Sequence, residues 1–253
     1  MIQTKVSDEL AIQPLQKGIL LTHEEIKDLP KPVQKYLIYT GAIGKVKPQN
    51  VRIEFDAKMY RKPGDAPMKS HSCQYNFFGN YSRFFIIKAS KAGIPFLAKH
   101  IYQNQQATFK VRIAGLFNVV DVKGEELSKA ETVTLLNDMC IFAPGCLTDQ
   151  RLTWLEIDDL SAEVTLKNGH IIVSAKLLFN EVGQLINFVS DDRSALQDNG
   201  ELKRFRWTTP ITSYQEFEGR RIPTLGKTIW HYPDGEFIYG EFELKKIEYD
   251  KTN

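Results

Sequence analysis

From Val51 to Met59 the chain alternates without a break: Val51, Ile53, Phe55, Ala57 and Met59 are apolar, and Arg52, Glu54, Asp56 and Lys58 between them are charged. Successive side chains of an extended strand point to opposite faces, so this run buries one face and wets the other only as part of a half-buried sheet. The same period recurs at His71 to Phe78, Arg83 to Ala89, Phe96 to Tyr102 and Ala107 to Ile113, with Lys62-Pro-Gly-Asp65 and Gly79-Asn80 as turn signals. It resumes at Leu152 to Ile157, Ala162 to Leu166, Ile171 to Phe179 and Gln184 to Ser190. Further strands are read at Arg204 to Trp207, Ser213 to Phe217, Lys227 to Tyr232 and Glu236 to Tyr249. Asn168-Gly169 and Pro233-Asp234-Gly235 mark tight hairpins. Short connections imply antiparallel neighbours, because a parallel pair needs a crossover of about a dozen residues or more.

Helical signals are few. Thr22-His-Glu-Glu25 has the form of a capping box, and Pro32 suits the first turn of a helix from Val33 to Thr40 that Gly41 ends. One long helix is predicted over 124–142, stopped by Pro144-Gly145. The expectation is a mainly β protein with one long helix (α+β): on the order of ten strands in a curled antiparallel sheet, a half-barrel or barrel closed by that helix. Residues 1–45 are expected to form a helical segment packed on a single β domain, 46–253, since no Pro/Ser/Gly-rich linker divides the strands.

The 253 residues are 42% hydrophobic, 11% aromatic and 25% charged, a globular composition. Lys+Arg 33 against Asp+Glu 31 leaves +2, without the basic surplus of a nucleic-acid binder. No apolar run reaches the roughly 18 residues of a membrane-spanning helix. Lys5, Asp8 and Glu9 interrupt the first ten residues where an export signal would be apolar. Cys73, Cys140 and Cys146 are odd in number and form no paired motif. These features place the chain as written in the cytoplasm; a periplasmic or tethered form would need a further N-terminal segment.

Phosphate-binding glycine loops and the Gly-x-Ser-x-Gly elbow are missing, so neither a nucleotide nor another cofactor is expected. His71, Cys73, Cys140 and Cys146 lack zinc-ligand spacing, and His23-Glu-Glu-Ile-Lys27 has a lysine where the zincin helix needs its second histidine. No metal site is expected.

Several stretches carry a family resemblance. They are Leu29-Pro-Lys-Pro-Val-Gln-Lys-Tyr-Leu-Ile-Tyr-Thr-Gly41, Val119-Val-Asp-Val-Lys-Gly-Glu-Glu126, Leu136-Asn-Asp-Met-Cys-Ile-Phe-Ala-Pro144, Asp191-Asp-Arg193, Gly219-Arg-Arg-Ile-Pro-Thr224 and the run from Tyr239 to Tyr249. Together they resemble a large bacterial family of proteins of unknown function. The resemblance implies no activity, although the family tends to carry an acidic residue where Asp138 stands. The element pattern is also similar to the half-barrels that carry lipoproteins or lipids through the periplasm.

On a wheel of about 100° per residue, Leu135, Met139, Ala143, Leu136, Cys140, Val133 and Ala130 fill an arc of roughly 220°, about twice an ordinary core-facing stripe. A single concave sheet is expected to cover one side of such a helix, leaving the rest to the N-terminal helices, a loop or a ligand. Glu131, Thr134 and Asp138 form a narrow polar arc, and Asn137 sits at its apolar edge and needs a buried partner. Two readings stand: Asn137 and Asp138 meet a ligand inside the sheet, or Asp138 lies on the surface and Asn137 is structural. Arg193 either binds an anion through its planar fork or pairs with Asp191 at a strand end.

The leading reading is a protein that binds an apolar small molecule or a lipid acyl chain. Candidate ligand-binding residues are Asn137, Asp138, Met139 and Arg193, with Phe84 or Phe85, Trp154 and Trp230 on inward strand faces. The alternatives are an enzyme using Asp138, Asn137 and Arg193 in acid–base or hydrolytic chemistry on an apolar substrate, and an interaction module without a pocket.

Overall fold

A computed structural model describes residues 2–13, 18–91 and 93–252. Among these, three helices precede the sheet: α1 (Ile2–Ile12), α2 (His23–Ile26) and α3 (Lys31–Tyr39). The capping box forms as read, with Thr22 and Glu25 exchanging hydrogen bonds at the start of α2. Helix α1 was not anticipated. Ile2 and Val6, one turn apart, lie against Phe77 and Phe84 on the outer face of the sheet. Glu9 is buried there and accepts from Ser82 Oγ at 3.0 Å and Gln103 Nε2 at 2.7 Å.

The alternating run becomes β1 (Asn50–Met59), with Ile53, Phe55 and Ala57 buried and Asp56 and Lys58 exposed. From it a meander runs through β2 (Met68–Phe77), β3 (Ser82–Lys91), β4 (Ile94–Gln103), β5 (Gln106–Ile113) and β6 (Phe117–Lys123). Helix α4 (Glu125–Phe142) follows, with Glu125 and Glu126 in its first turn where the helix dipole favours anions.

The second half adds β7 (Leu152–Asp158), β8 (Ser161–Asn168), β9 (Ile171–Phe179), β10 (Leu185–Ser190), β11 (Ser194–Leu196), β12 (Leu202–Arg204), β13 (Arg206–Thr208), β14 (Ile211–Phe217), β15 (Arg220–Tyr232) and β16 (Gly235–Tyr249). Short strands β6, β11 and β12 escape the sequence reading, which therefore undercounts. All pairings among the described strands are antiparallel.

Fourteen of the strands form one sheet, ordered β6-β5-β4-β3-β2-β1-β16-β15-β13-β10-β9-β8-β7, with β14 on β15; β11 and β12 pair separately. Strand twist accumulates over so many neighbours and curls the sheet. Its two edges, β6 and β7, do not meet, so it is an open curl rather than a closed barrel.

This curl corrects one expectation. The sheet covers α4 on both sides, because β5 from one arm and β9 from the other both pack against the helix. From Leu127 to Phe142 every residue of α4 except Lys129 is buried. Helix α3 adds the Tyr36 hydroxyl, which donates to the Cys140 carbonyl at 2.7 Å. Among the described residues no helix is long and apolar enough to cross a membrane.

Candidate functional site

Strand alternation and helix periodicity bring polar side chains to one place inside the curl. On the inner face, Gln74 and Asn76 of β2 stand across from Phe85 and Arg83 of β3, and Phe85 stands across from His100 of β4. The stripe Glu131, Thr134 and Asp138 of α4 faces them.

Arg83 is the hub. Its Nε donates to Asp138 Oδ2 at 2.7 Å, Nη1 to Glu131 Oε2 at 3.0 Å and Nη2 to Gln74 Oε1 at 2.8 Å. Its guanidinium also lies 4.8 Å from the centre of the Phe85 ring. Asp138 Oδ2 takes two further donors, Gln74 Nε2 at 2.7 Å and Asn76 Nδ2 at 3.2 Å. His100 stacks on Phe109 at 4.0 Å; facing a carboxylate, its Nδ1 must carry the hydrogen, and it donates to Glu131 Oε1 at 2.9 Å.

Burial alone penalises each of these charges, so their neighbours decide. Glu131 is held at about 2, burial being outweighed by His100, Arg83 and Arg193. Asp138 goes the other way: burial raises its carboxyl, and Arg83 and Asn76 pull it only partly back. Burial works against the charge of Arg83 too, but Asp138 and Glu131 keep it protonated.

Beside this network lies a cavity of ≈ 160 Å³. Phe55, Phe85, Ile87, Ile141, Trp207 and Phe242 contribute its apolar wall, and Arg83, His100, Glu131, Asn137, Asp138 and Arg193 its polar one. It adjoins a wider cleft of ≈ 1100 Å³, with Leu225, Gly226, Lys227 and Phe242 common to both.

Four of the candidates line the cavity: Phe85, Asn137, Asp138 and Arg193. Asp138 is buried rather than on the surface, and Asn137 finds its partner in Thr209, whose hydroxyl donates to Asn137 Oδ1 at 2.6 Å. Arg193 does not pair with Asp191, which instead takes Arg206 at 2.9 and 3.0 Å.

The other four lie elsewhere. Phe84 points to the outer face beneath α1, as strand alternation requires once Phe85 points inward. Met139 is fully buried in the core, off the Glu131, Thr134 and Asp138 stripe of α4, and does not line the cavity. Trp154 sits on edge strand β7 and donates to the Leu147 carbonyl at 3.2 Å. Trp230 lies behind Arg193, 5.0 Å from it, rather than on the cavity wall.

Arg83, Gln74 and Asn76 were not singled out from sequence. A signal existed in β2, where Ser70, Ser72, Gln74 and Asn76 share one face, but a polar strand face ordinarily reads as solvent-facing. Here that face is the buried one, because it meets the polar arc of α4.

Of the cysteines, Cys140 and Cys146 are buried, and burial pushes both thiols up, away from reactivity. Among the described residues no group of three or more His, Cys, Asp or Glu is arranged to hold a metal.

Fold and site together define a curled-sheet protein with a helix-stoppered interior and a partly polar cavity. The chain belongs to DUF6544, a family of unknown function whose model matches residues 20–242. The curated proteins contain no match to it. Among solved structures it is similar to a LolA superfamily protein from Nitrosomonas europaea, with 12% identity and a TM-score of 0.46 over 87% of this chain and 94% of that one. It is also similar to a putative outer membrane lipoprotein-sorting protein domain from Vibrio parahaemolyticus, with 8% identity and a TM-score of 0.41 over 79% and 85% of the two chains. At these values each is a similarity of chain path, from which no function follows.

Proposed function

We propose that this protein binds an apolar small molecule or acyl chain in the cavity between α4 and the inner face of β1–β4 and β13–β16. The observation that carries this reading is the space itself. Protein interiors pack like organic crystals, yet here aromatic and aliphatic walls enclose ≈ 160 Å³ that opens beside a much wider cleft. Each methylene placed against those walls would contribute about 0.8 kcal/mol, which gives affinity without any reacting group. The ionisable residues support binding over acid–base chemistry on Asp138, because three donors already hold its Oδ2. A pocketless interaction module would have no need of the cavity.

The test is titration of delipidated protein with the fluorescent fatty acid cis-parinaric acid, on wild type and on Ile87→Glu. Ile87 is half-buried on the cavity wall, so a glutamate there should fold while placing an unpaired charge against the ligand. Saturable binding by the wild type and its loss in the variant are expected. A wild type that does not saturate, or a folded variant that binds equally well, rejects the pocket.

A further inference from the structure

Two arginines line the cavity in opposite states. Every nitrogen of Arg83 is engaged by Asp138, Glu131 or Gln74. Arg193 has no ion-pair partner among the described residues: Nε donates to Thr134 Oγ1 at 3.1 Å and Nη1 to the Tyr239 hydroxyl at 3.1 Å. Its Nη2 meets no acceptor among them. The guanidinium lies 4.3 Å from the Trp207 ring centre and 5.0 Å from that of Trp230, and Trp207 Nε1 donates to the same Tyr239 hydroxyl at 3.0 Å. Neutral oxygens and indole faces therefore orient this cation without cancelling its charge. The two acids that precede Arg193 in sequence are both occupied, Asp191 by Arg206 and Asp192 by Lys129 at 2.8 Å.

We infer that the cavity takes a single-chain amphiphile with a monoanionic carboxylate head, bound by Arg193, its chain lying along Phe85, Ile87 and Phe242 toward the wider cleft. This rests on the ligand-binding reading above and adds the head group to it. The surroundings argue for one negative charge. Arg83 is ion-paired to both Asp138 and Glu131, Lys227 stands where the cavity meets the wider cleft, and Arg193 is the inner cation without an ion-pair partner among the described residues; a dianionic phosphate beside it would meet Glu131 and Asp138 across the same cavity. A guanidinium already oriented loses little freedom when it closes on a carboxylate.

The experiment compares dodecanoate, dodecanol and dodecyl phosphate by calorimetry on delipidated wild type, Arg193→Gln and Arg193→Lys, with melting curves to confirm folding. Wild type should bind dodecanoate roughly tenfold or more tighter than dodecanol, a charge-assisted hydrogen bond being the difference, and tighter than dodecyl phosphate. Arg193→Gln should keep the dodecanol affinity and lose the preference, and Arg193→Lys should restore part of it. Should the variants fail to fold, dodecanoate labelled at its carboxyl carbon reports on the wild type alone: bound, it should stay ionised to lower pH than free. Equal affinity for dodecanoate and dodecanol, or a labelled carboxylate that protonates as in water, overturns the head-group site and leaves the apolar pocket standing. Binding of none of the three overturns both.

Discussion

Arg83 holds two buried carboxylates apart, and its removal is the sharpest single-residue test of the interior. In Arg83→Met the apolar stem is approximately conserved, but Glu131 and Asp138 lose their shared cation. Breaking a buried ion pair from one side costs about 3–5 kcal/mol, so chemical denaturation should show a loss of that order. Glu131 makes a separate, pH-dependent prediction. Its folded pKa of about 2 lies below the ordinary 4.5, so its contribution is complete above that ordinary value and disappears as pH falls through the folded one. The contribution is on the order of 3 kcal/mol at neutral pH. Wild type should therefore exceed Glu131→Gln by about that much near pH 7, and the gap should close between about pH 4.5 and pH 2. Asp138, raised by burial and by the neighbouring Glu131, titrates with the opposite sign and shifts when Glu131 is removed, so the difference between melting curves reports the coupled pair. A gap independent of pH would show that Glu131 acts through packing alone.

At the scale of the element, α4 presents two buried faces with different work. The Met139 face is fully buried core; the stripe Glu131, Thr134 and Asp138 borders the cavity. Met139→Ala should lower stability by about 2–4 kcal/mol in a denaturant series, yet leave the affinity for cis-parinaric acid within about twofold. A parallel loss of affinity would mean that the cavity extends behind the helix. The wheel made both faces legible, including the narrow polar arc. It could not say that the arc is buried, because a polar stripe looks the same whether it meets water or a second polar surface. That second surface, Gln74 and Asn76, lies more than fifty residues away in sequence, and its own polar pattern carries the same ambiguity. The strand pair Phe84 and Phe85 shows the same limit: alternation says that one faces inward, and only the placement of α1 over Phe84 shows which.

For the molecule as a whole, the decisive pairing is β1 with β16, where the first and last strands of the sheet zip from Val51↔Tyr249 to Met59↔Gly240. It joins two meanders into one sheet and lets their far arms reach both sides of α4. Strand period, hairpin turns, the antiparallel class, the single long helix and the capping box at Thr22 were all determined by the sequence, because each depends on neighbours a few residues apart. Helix α1 was missed because its turn-spaced Ile2 and Val6 acquire a partner only from Phe77 and Phe84. What only the tertiary structure decided is which faces turn inward, and so the site: Asn137, Asp138, Phe85 and Arg193 reach the cavity, while Met139, Phe84, Trp154 and Trp230 do not. The physical reason is that burial of a charge is stable only when distant partners compensate it. Asp138 is placed by Arg83, Gln74 and Asn76, and Arg193 by Thr134, Tyr239 and two tryptophans, none of which its local sequence specifies.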